Sequence, residues 1–279
     1  MKDRVYHQML KFVDICCGIG SFHQSFKKKG WECVMACDIN KSARETYKEN
    51  YGIEPRGDLY DIDIESIPKF DILCAGFPCQ PFSNAGQHRG FEDTRGTLFF
   101  QIMKVVDHHK PTYVVLENVP AILTHDKGNT FKVITECLVK AGYKVAHKLI
   151  KCSDYGIPQM RKRVILVGVL GDLEPTDILE FDKFKKTVTL SDYLGKNFAK
   201  EVAYTIRCGG RSSPIRDKHN WDGYFVDGKE YRLSLEDCVR LQGFQKDFVL
   251  CGTLTEKWKQ LGNTIPTIFT EMIADNISN

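Results

Sequence analysis

Phe12-Val13-Asp14-Ile15-Cys16-Cys17-Gly18-Ile19-Gly20-Ser21-Phe22 is the stretch that decides the fold. Its first four residues read as a β-strand, its two glycines let the backbone turn tightly beside a ligand, and a helical stretch to Lys29 follows. A glycine pair after a strand is a weak signal by itself. Outward from it, Cys33 to Cys37 reads as a second strand and Lys41 to Asn50 as a helix. Phe70 to Ala75 and Tyr113 to Leu116 are further apolar strands, each followed by a loop and a helix pattern. Tyr143 to Ile150 and Val164 to Val169 read as two closing strands. Their connection is short for a right-handed crossover helix, which leaves an antiparallel pairing open. This alternation argues for an α/β fold, a doubly wound and mostly parallel sheet.

From Gly171 onward the pattern changes. Leu173-Glu174-Pro175, Gly195 and Gly209-Gly210 interrupt the chain, and no long periodic segment precedes Ser234, which with Asp237 gives a capped helix start. Ile265 to Ile277 returns to an apolar pattern. The expected division is therefore 1–171 plus 259–279 as the main domain and 172–258 as a small second domain with its hinge.

Composition sets the class. With 42% hydrophobic and 27% charged residues, the 279-residue chain is that of an ordinary globular protein. No apolar run reaches membrane-spanning length, and Met1 to Lys11 is too polar for a secretory signal, so a cytoplasmic location is expected. The eleven cysteines are odd in number and lack zinc-type spacing, so neither a disulfide framework nor a metal site is expected. Cys33, Cys37 and Cys74 sit in apolar runs as small hydrophobes. The net charge of +3 says little, but Arg207, Arg211, Arg216 and Lys218 share a glycine- and serine-rich stretch. Such a loop suits phosphate contacts, and equally a solvated surface.

Four groups carry chemistry. Asp38 and Asp58 follow successive elements, where acceptors for a ribose diol would stand; with the glycine loop they describe a nucleoside crevice. In Gly76-Phe77-Pro78-Cys79-Gln80-Pro81-Phe82-Ser83, prolines hold a thiol at a strand end, where a thiolate can attack an electron-poor carbon. The polar, glycine-containing stretch from Gln80 to Arg95 suits a mobile lid. Glu117, in Val114-Val115-Leu116-Glu117-Asn118-Val119, ends another strand. A carboxyl there can donate a proton, although by position alone a loop or cap carboxylate is commoner. Arg161 and Arg163 share a face of an extended segment, able to fix a carboxylate or phosphate, or to remain a solvated charge run.

Phe77-Pro78-Cys79-Gln80, Glu117-Asn118-Val119, Gln159-x-Arg161-x-Arg163, Arg240-Leu241-Gln242-Gly243-Phe244 and Gln260-x-Gly262-Asn263-Thr264-x-Pro266 stand in this order. Together they resemble the cytosine-5 DNA methyltransferases of restriction–modification type, especially the short HhaI-like ones, from Phe12 to Pro266. The resemblance implies the S-adenosylmethionine-dependent methyltransferase fold with a target-recognition domain. It implies a cytosine swung out of double-stranded DNA, Cys79 adding to carbon 6, Glu117 protonating ring nitrogen 3, and methylation of carbon 5. Arg163 would steady the cytosine and Arg161 support the catalytic groups. The cofactor, leaving as S-adenosylhomocysteine, would lie against Asp14, Cys16, Gly18, Gly20 and Phe22. Asp38 and Ile39 would serve the ribose side, Asp58 and Leu59 the adenine, with Pro78, Leu98, Asn263 and Thr264 closing the site. DNA contacts are expected from Ser83, Arg95, Thr205, Arg207, Arg211 and Arg216. A monomer of prokaryotic or viral origin, with a cognate restriction endonuclease acting on the same site, fits this type. The chain departs from many members at Cys16, where they carry Phe, and at Ser21, where they carry glycine.

Three other readings fit the residues less well. The RNA-methylating branch usually carries Cys-Phe-Thr late in the chain, which this sequence lacks; a silent DNA-binding relative would have lost Cys79 or Glu117; a thiol redox protein would want a second cysteine near Cys79.

Overall fold

The computed structural model describes residues 9–78, 97–184 and 186–278. Cys79, Ser83, Arg95 and the expected lid from Gln80 to Arg95 lie outside these residues.

Six strands form one sheet: β1 (Lys11–Ile15), β2 (Glu32–Cys37), β3 (Ile72–Gly76), β4 (Tyr113–Asn118), β5 (Lys144–Lys151) and β6 (Lys162–Val169), in the order β2-β1-β3-β4-β6-β5. The first four are parallel, whereas β6 runs antiparallel to both β4 and β5. The antiparallel closing pair left open by the sequence is thus present. What periodicity did not reveal is that β6 inserts between β4 and β5. Chain direction explains it: a short connection reverses β5 into β6, and only β6, lined by Val164, Ile165, Leu166 and Val167, is apolar enough to be buried on both faces.

Helices α1 (Ser21–Lys28), α2 (Lys41–Tyr51), α3 (Leu98–His109) and α4 (Asn129–Lys140) connect the strands. Successive side chains of a strand point to opposite faces. Accordingly Val13, Ile15, Leu73, Ala75, Val114 and Leu116 join Ile102 and Val106 of α3 and Ile134 and Leu138 of α4 in one core. Phe12, Ile72, Cys74 and Val115 join Phe22 and Phe26 of α1 in another. That second core is completed by the last helix, at residues 267–278.

Beyond β6 the chain forms the short helices α5 (Pro175–Ile178) and α6 (Leu190–Leu194), a hairpin of β7 (Gly223–Val226) and β8 (Lys229–Arg232), and then α7 (Leu235–Leu241), α8 (Leu254–Asn263) and α9 (Thr267–Ser278). A third core gathers Leu190, Phe198, Trp221, Tyr224, Leu241 and Trp258 with Ile19 and Ala43 of the amino-terminal part. The Ser234 cap is present: its hydroxyl accepts from Asp237 N, and the Asp237 carboxylate accepts from Ser234 N. Among the described residues no helix is long and apolar enough to cross a membrane.

Strand β1 sends its connections to β2 on one side and lies against β3 on the other. In open α/β sheets the crevice at the carboxyl ends of such neighbouring strands receives ligands.

Candidate active site

A cavity of about 490 Å³ opens at that point, within the size range of small-molecule sites. Its wall begins at the loop after β1. Cys16 and Gly18 take positive φ angles of 54° and 53° there, and the Gly18 N–H donates to Asp38 Oδ2 at 2.9 Å. Asp38 Oδ1 accepts from Asn40 N at 2.8 Å. These bonds orient the carboxylate and leave each oxygen a second lone pair for an incoming donor. Burial is the main cause raising the Asp38 pKa, opposed by the Asn40 and Gly18 backbone bonds and by Arg44.

Of the residues assigned to the cofactor from sequence, Cys16, Gly18, Asp38, Ile39, Asp58, Leu59, Pro78, Leu98, Asn263 and Thr264 line this one cavity. Asp14, Gly20 and Phe22 do not. Asp14 is buried on the strand behind the loop, with Oδ2 unpartnered, and burial foremost, then the Asp38 charge, raises its pKa well above the carboxylate range. Phe22 packs in the second core, because the first turn of α1 turns it inward. Gly20, at φ 86°, passes so close to the Tyr51 ring that a Cβ would overlap it. These three shape the loop from behind.

Glu117, the penultimate residue of β4, reaches the same cavity. Its Oε1 lies 2.6 Å from Arg163 Nε, both side chains being about nine-tenths buried. Burial raises the Glu117 pKa despite the opposing attraction of Arg163 and Arg161, so the carboxyl holds a proton more readily than a solvated one. Arg161 does not reach the cavity. It is buried and donates from Nη1 to Ile206 O at 3.0 Å and from Nη2 to Gly262 O and Thr264 O at 2.9 and 2.8 Å. Burial, with help from Arg163, lowers its pKa to about 9. The two arginines that the sequence placed on one face thus divide their work: Arg163 pairs with the acid, and Arg161 ties three segments together.

Asn118 escaped assignment from sequence. It is buried, lines the cavity, and donates from Nδ2 to Phe77 O at 2.8 Å, joining the end of β4 to the residues before Cys79. Its place directly after a strand-end acid was the available signal. Gln159 and Gln242 were also passed over as site residues. Gln159 Oε1 accepts from Ile206 N at 3.2 Å, Gln159 Nε2 donates to Leu241 O at 2.8 Å, and Gln242 Nε2 donates to Leu261 O at 2.5 Å. With Arg161 they clamp residues 206, 241 and 261–264 around the cavity rim. A buried amide between apolar neighbours was the cue.

The residues expected at DNA are less uniform. Arg216 is exposed, and Thr205 is half-buried between Tyr204 and buried Ile206. Arg207 donates to His219 O, within the same loop. Arg211 is committed to the fold. Its guanidinium lies 3.7 Å from the Trp258 ring centre, and Nε sits 3.3 Å from Asp222, whose carboxylate is buried. Cys208 is exposed at the cavity rim, its thiol donating to Asn263 Oδ1 at 2.8 Å. Gly262 backs onto Cys208 so closely that no Cβ fits.

The family model described as C-5 cytosine-specific DNA methylase matches residues 10–224 and 200–279. The Type II methyltransferase M.DsaV of Dactylococcopsis salina is 34% identical over 302 residues, covering 97% of this chain and 86% of its own. The Type II methyltransferase M.HhaI of Haemophilus parahaemolyticus is 31% identical over 309 residues, covering 97% and 94%. Among solved structures, the Entamoeba histolytica methyltransferase EhMeth superposes with a TM-score of 0.74 over 97% of this chain and 98% of that one, at 17% identity, a likeness of fold. With the family matched across nearly the whole chain, and a strand-end acid and its guanidinium partner in the wall of one cavity, this protein belongs to the C-5 cytosine-specific DNA methylases and is a DNA cytosine-5 methyltransferase that uses S-adenosylmethionine.

Proposed function

We propose that the chain is the modification enzyme of a restriction–modification pair, methylating one cytosine within a short duplex target that a cognate endonuclease also reads. Residues 1–171 and 259–279 would carry the chemistry and 172–258 the target recognition. The observation that supports the catalytic part most directly is the Glu117–Arg163 pair in the wall of the cavity that Asp38 and Asp58 also line. Pro78 lines it too, and Cys79 is the next residue of the chain.

The residues present fit the cofactor. Asp38 offers oriented acceptors to a ribose diol, and Cys16, Ile39 and Leu59 offer apolar surface to a purine. When bound, S-adenosylmethionine supplies an electrophilic methyl group and leaves as S-adenosylhomocysteine. The chain's own residues do the rest. Extruding the cytosine costs a few kcal/mol of stacking. The Cys79 thiolate forms a bond to carbon 6, and the electron pair displaced moves toward ring nitrogen 3. Glu117, whose pKa burial raises, donates a proton there, while Arg163 fixes the carboxyl and Arg161 braces the rim. Carbon 5 becomes nucleophilic and accepts the methyl. Loss of the carbon 5 proton to water, return of the ring nitrogen 3 proton to Glu117 and rupture of the sulfur–carbon 6 bond restore the thiolate, the acid and the aromatic ring.

The test is a covalent trap. Duplex DNA carrying 5-fluorocytosine at the methylated position, with S-adenosylmethionine present, is expected to form an adduct with the wild-type protein and none with Cys79→Ser. An adduct that persists in Cys79→Ser overturns the assignment. Bisulfite sequencing of DNA treated with the wild-type enzyme gives the target.

A further inference from the structure

We propose that Tyr60 is a cofactor-binding residue of this enzyme, its ring forming the aromatic surface against the adenine. The inference rests on the reading of the cavity as the S-adenosylmethionine site. Purine rings bind well against the face or edge of an aromatic side chain. The loop after β1 offers the small Cys16, and the loop after β2 offers Ile39, which is 76% exposed in the cavity wall. Phe77 also lines the cavity, but it is buried against Phe99 at 5.6 Å between ring centres. Tyr60 lines the same cavity and is 49% exposed, a large ring surface accessible from the space a ligand would fill.

Its position is built. Arg56 bridges in parallel to Cys37, with Arg56 N donating to Ala36 O at 2.8 Å and Asp38 N to Arg56 O at 3.1 Å. Gly57 to Tyr60 is thereby docked beside Asp38 and Ile39. The Asp58 carboxylate accepts from Tyr60 N at 3.0 Å, capping the short turn of residues 59–61. Leu59 is buried in the core beneath and pins that turn. In a turn so tight, neighbouring side chains diverge, so the anchor that buries Leu59 leaves Tyr60 at the cavity. The same carboxylate that caps the turn lines the cavity beside the ring, offering an acceptor next to an apolar plate.

Isothermal titration with S-adenosylhomocysteine and with 5′-methylthioadenosine, which lacks the amino-acid end, tests the assignment without turnover. Tyr60→Ala is expected to weaken both ligands by about tenfold and by the same factor, Tyr60→Leu by about threefold, and Tyr60→Phe by less than twofold. Equal affinity of Tyr60→Ala and the wild type overturns the proposal, as does a loss confined to S-adenosylhomocysteine. Failure of the wild type to bind either ligand sinks the reading of the cavity instead. Thermal unfolding of the variants without ligand separates a loss of binding from a loss of fold.

Discussion

Glu117 and Arg163 hold each other at 2.6 Å in a place where neither charge is well solvated. Removing one partner leaves the other buried and uncompensated, which is costly in its own right. Glu117→Gln keeps the shape and removes the proposed proton donor; single-turnover methylation is expected to fall by about 10²- to 10⁴-fold with folding intact by circular dichroism. Arg163→Gln acts through the acid. The Glu117 pKa is already raised by burial, and Arg163 is the largest influence opposing that rise, so its loss moves the pKa higher still. A group whose pKa is raised by folding stabilises the protein at low pH and loses that contribution as pH rises through the folded value. Stability of Arg163→Gln measured by urea unfolding at pH 5 and pH 8 is therefore expected to fall more steeply with pH than that of the wild type.

The loop after β1 and the capped start of α7 are the elements whose sequence speaks most directly. Gly20→Ala places a methyl against Tyr51 at φ 86° and is expected to cost more than about 1 kcal/mol in denaturant unfolding. Ser234→Ala removes one half of a reciprocal cap and is expected to cost about 1 kcal/mol. Both features were legible because local physics fixes them: a glycine where the chain must turn left-handed, and a hydroxyl three residues before a carboxylate. The parallel strands were legible for a similar reason, being short apolar runs buried on both faces. The position of β6 between β4 and β5 was not, since strand order depends on which edges remain when the chain returns. Site residues divide along the same line. Asp38 and Glu117 stood at strand ends, Asp58 at the start of a short turn, and all three reached the cavity. Asp14 and Phe22 stood in the same motif but turned inward, a difference of side-chain direction that spacing cannot express. Arg161 and Arg163 share a face, and only the network of buried carbonyls separates a brace from a partner of the acid.

For the whole molecule, charge and pH give two further expectations. Neutralising exposed Arg207 and Arg216 is expected to lower DNA affinity and reduce the magnitude of the slope of log K against log salt by up to about 2. Arg211→Ala is expected to lower the melting temperature instead, because it uncovers Trp258 and leaves the buried Asp222 carboxylate with Arg232 as its remaining guanidinium. An unchanged melting temperature with a reduced slope would move Arg211 to the DNA. His23 is buried between Tyr47, at 2.7 Å from its Nδ1, and the stacked Tyr51 ring. Burial foremost, and then Lys27, lowers its pKa to about 3. The unfolded chain takes up a proton near pH 6.5, which the folded chain refuses until far lower pH, so stability is lost as pH falls through that window. Between pH 8 and pH 5 the loss from this residue is about 2 kcal/mol. Chemical unfolding of His23→Phe, which keeps a ring against Tyr51, is expected to show a shallower decline.

The hydroxyl of Ser21, at the start of α1, meets Thr264 Oγ1 at 2.9 Å and donates to Ile265 O at 2.5 Å, and Ser25 meets Thr270 Oγ1 at 2.6 Å. Segments more than 240 positions apart are thus stitched across one seam, and Gly262, Asn263 and Thr264 beside it form part of the cavity wall. During synthesis the glycine loop leaves the ribosome more than 240 residues ahead of its far wall. A nascent chain therefore carries half a pocket until that distant segment has been made, and methylation waits for it.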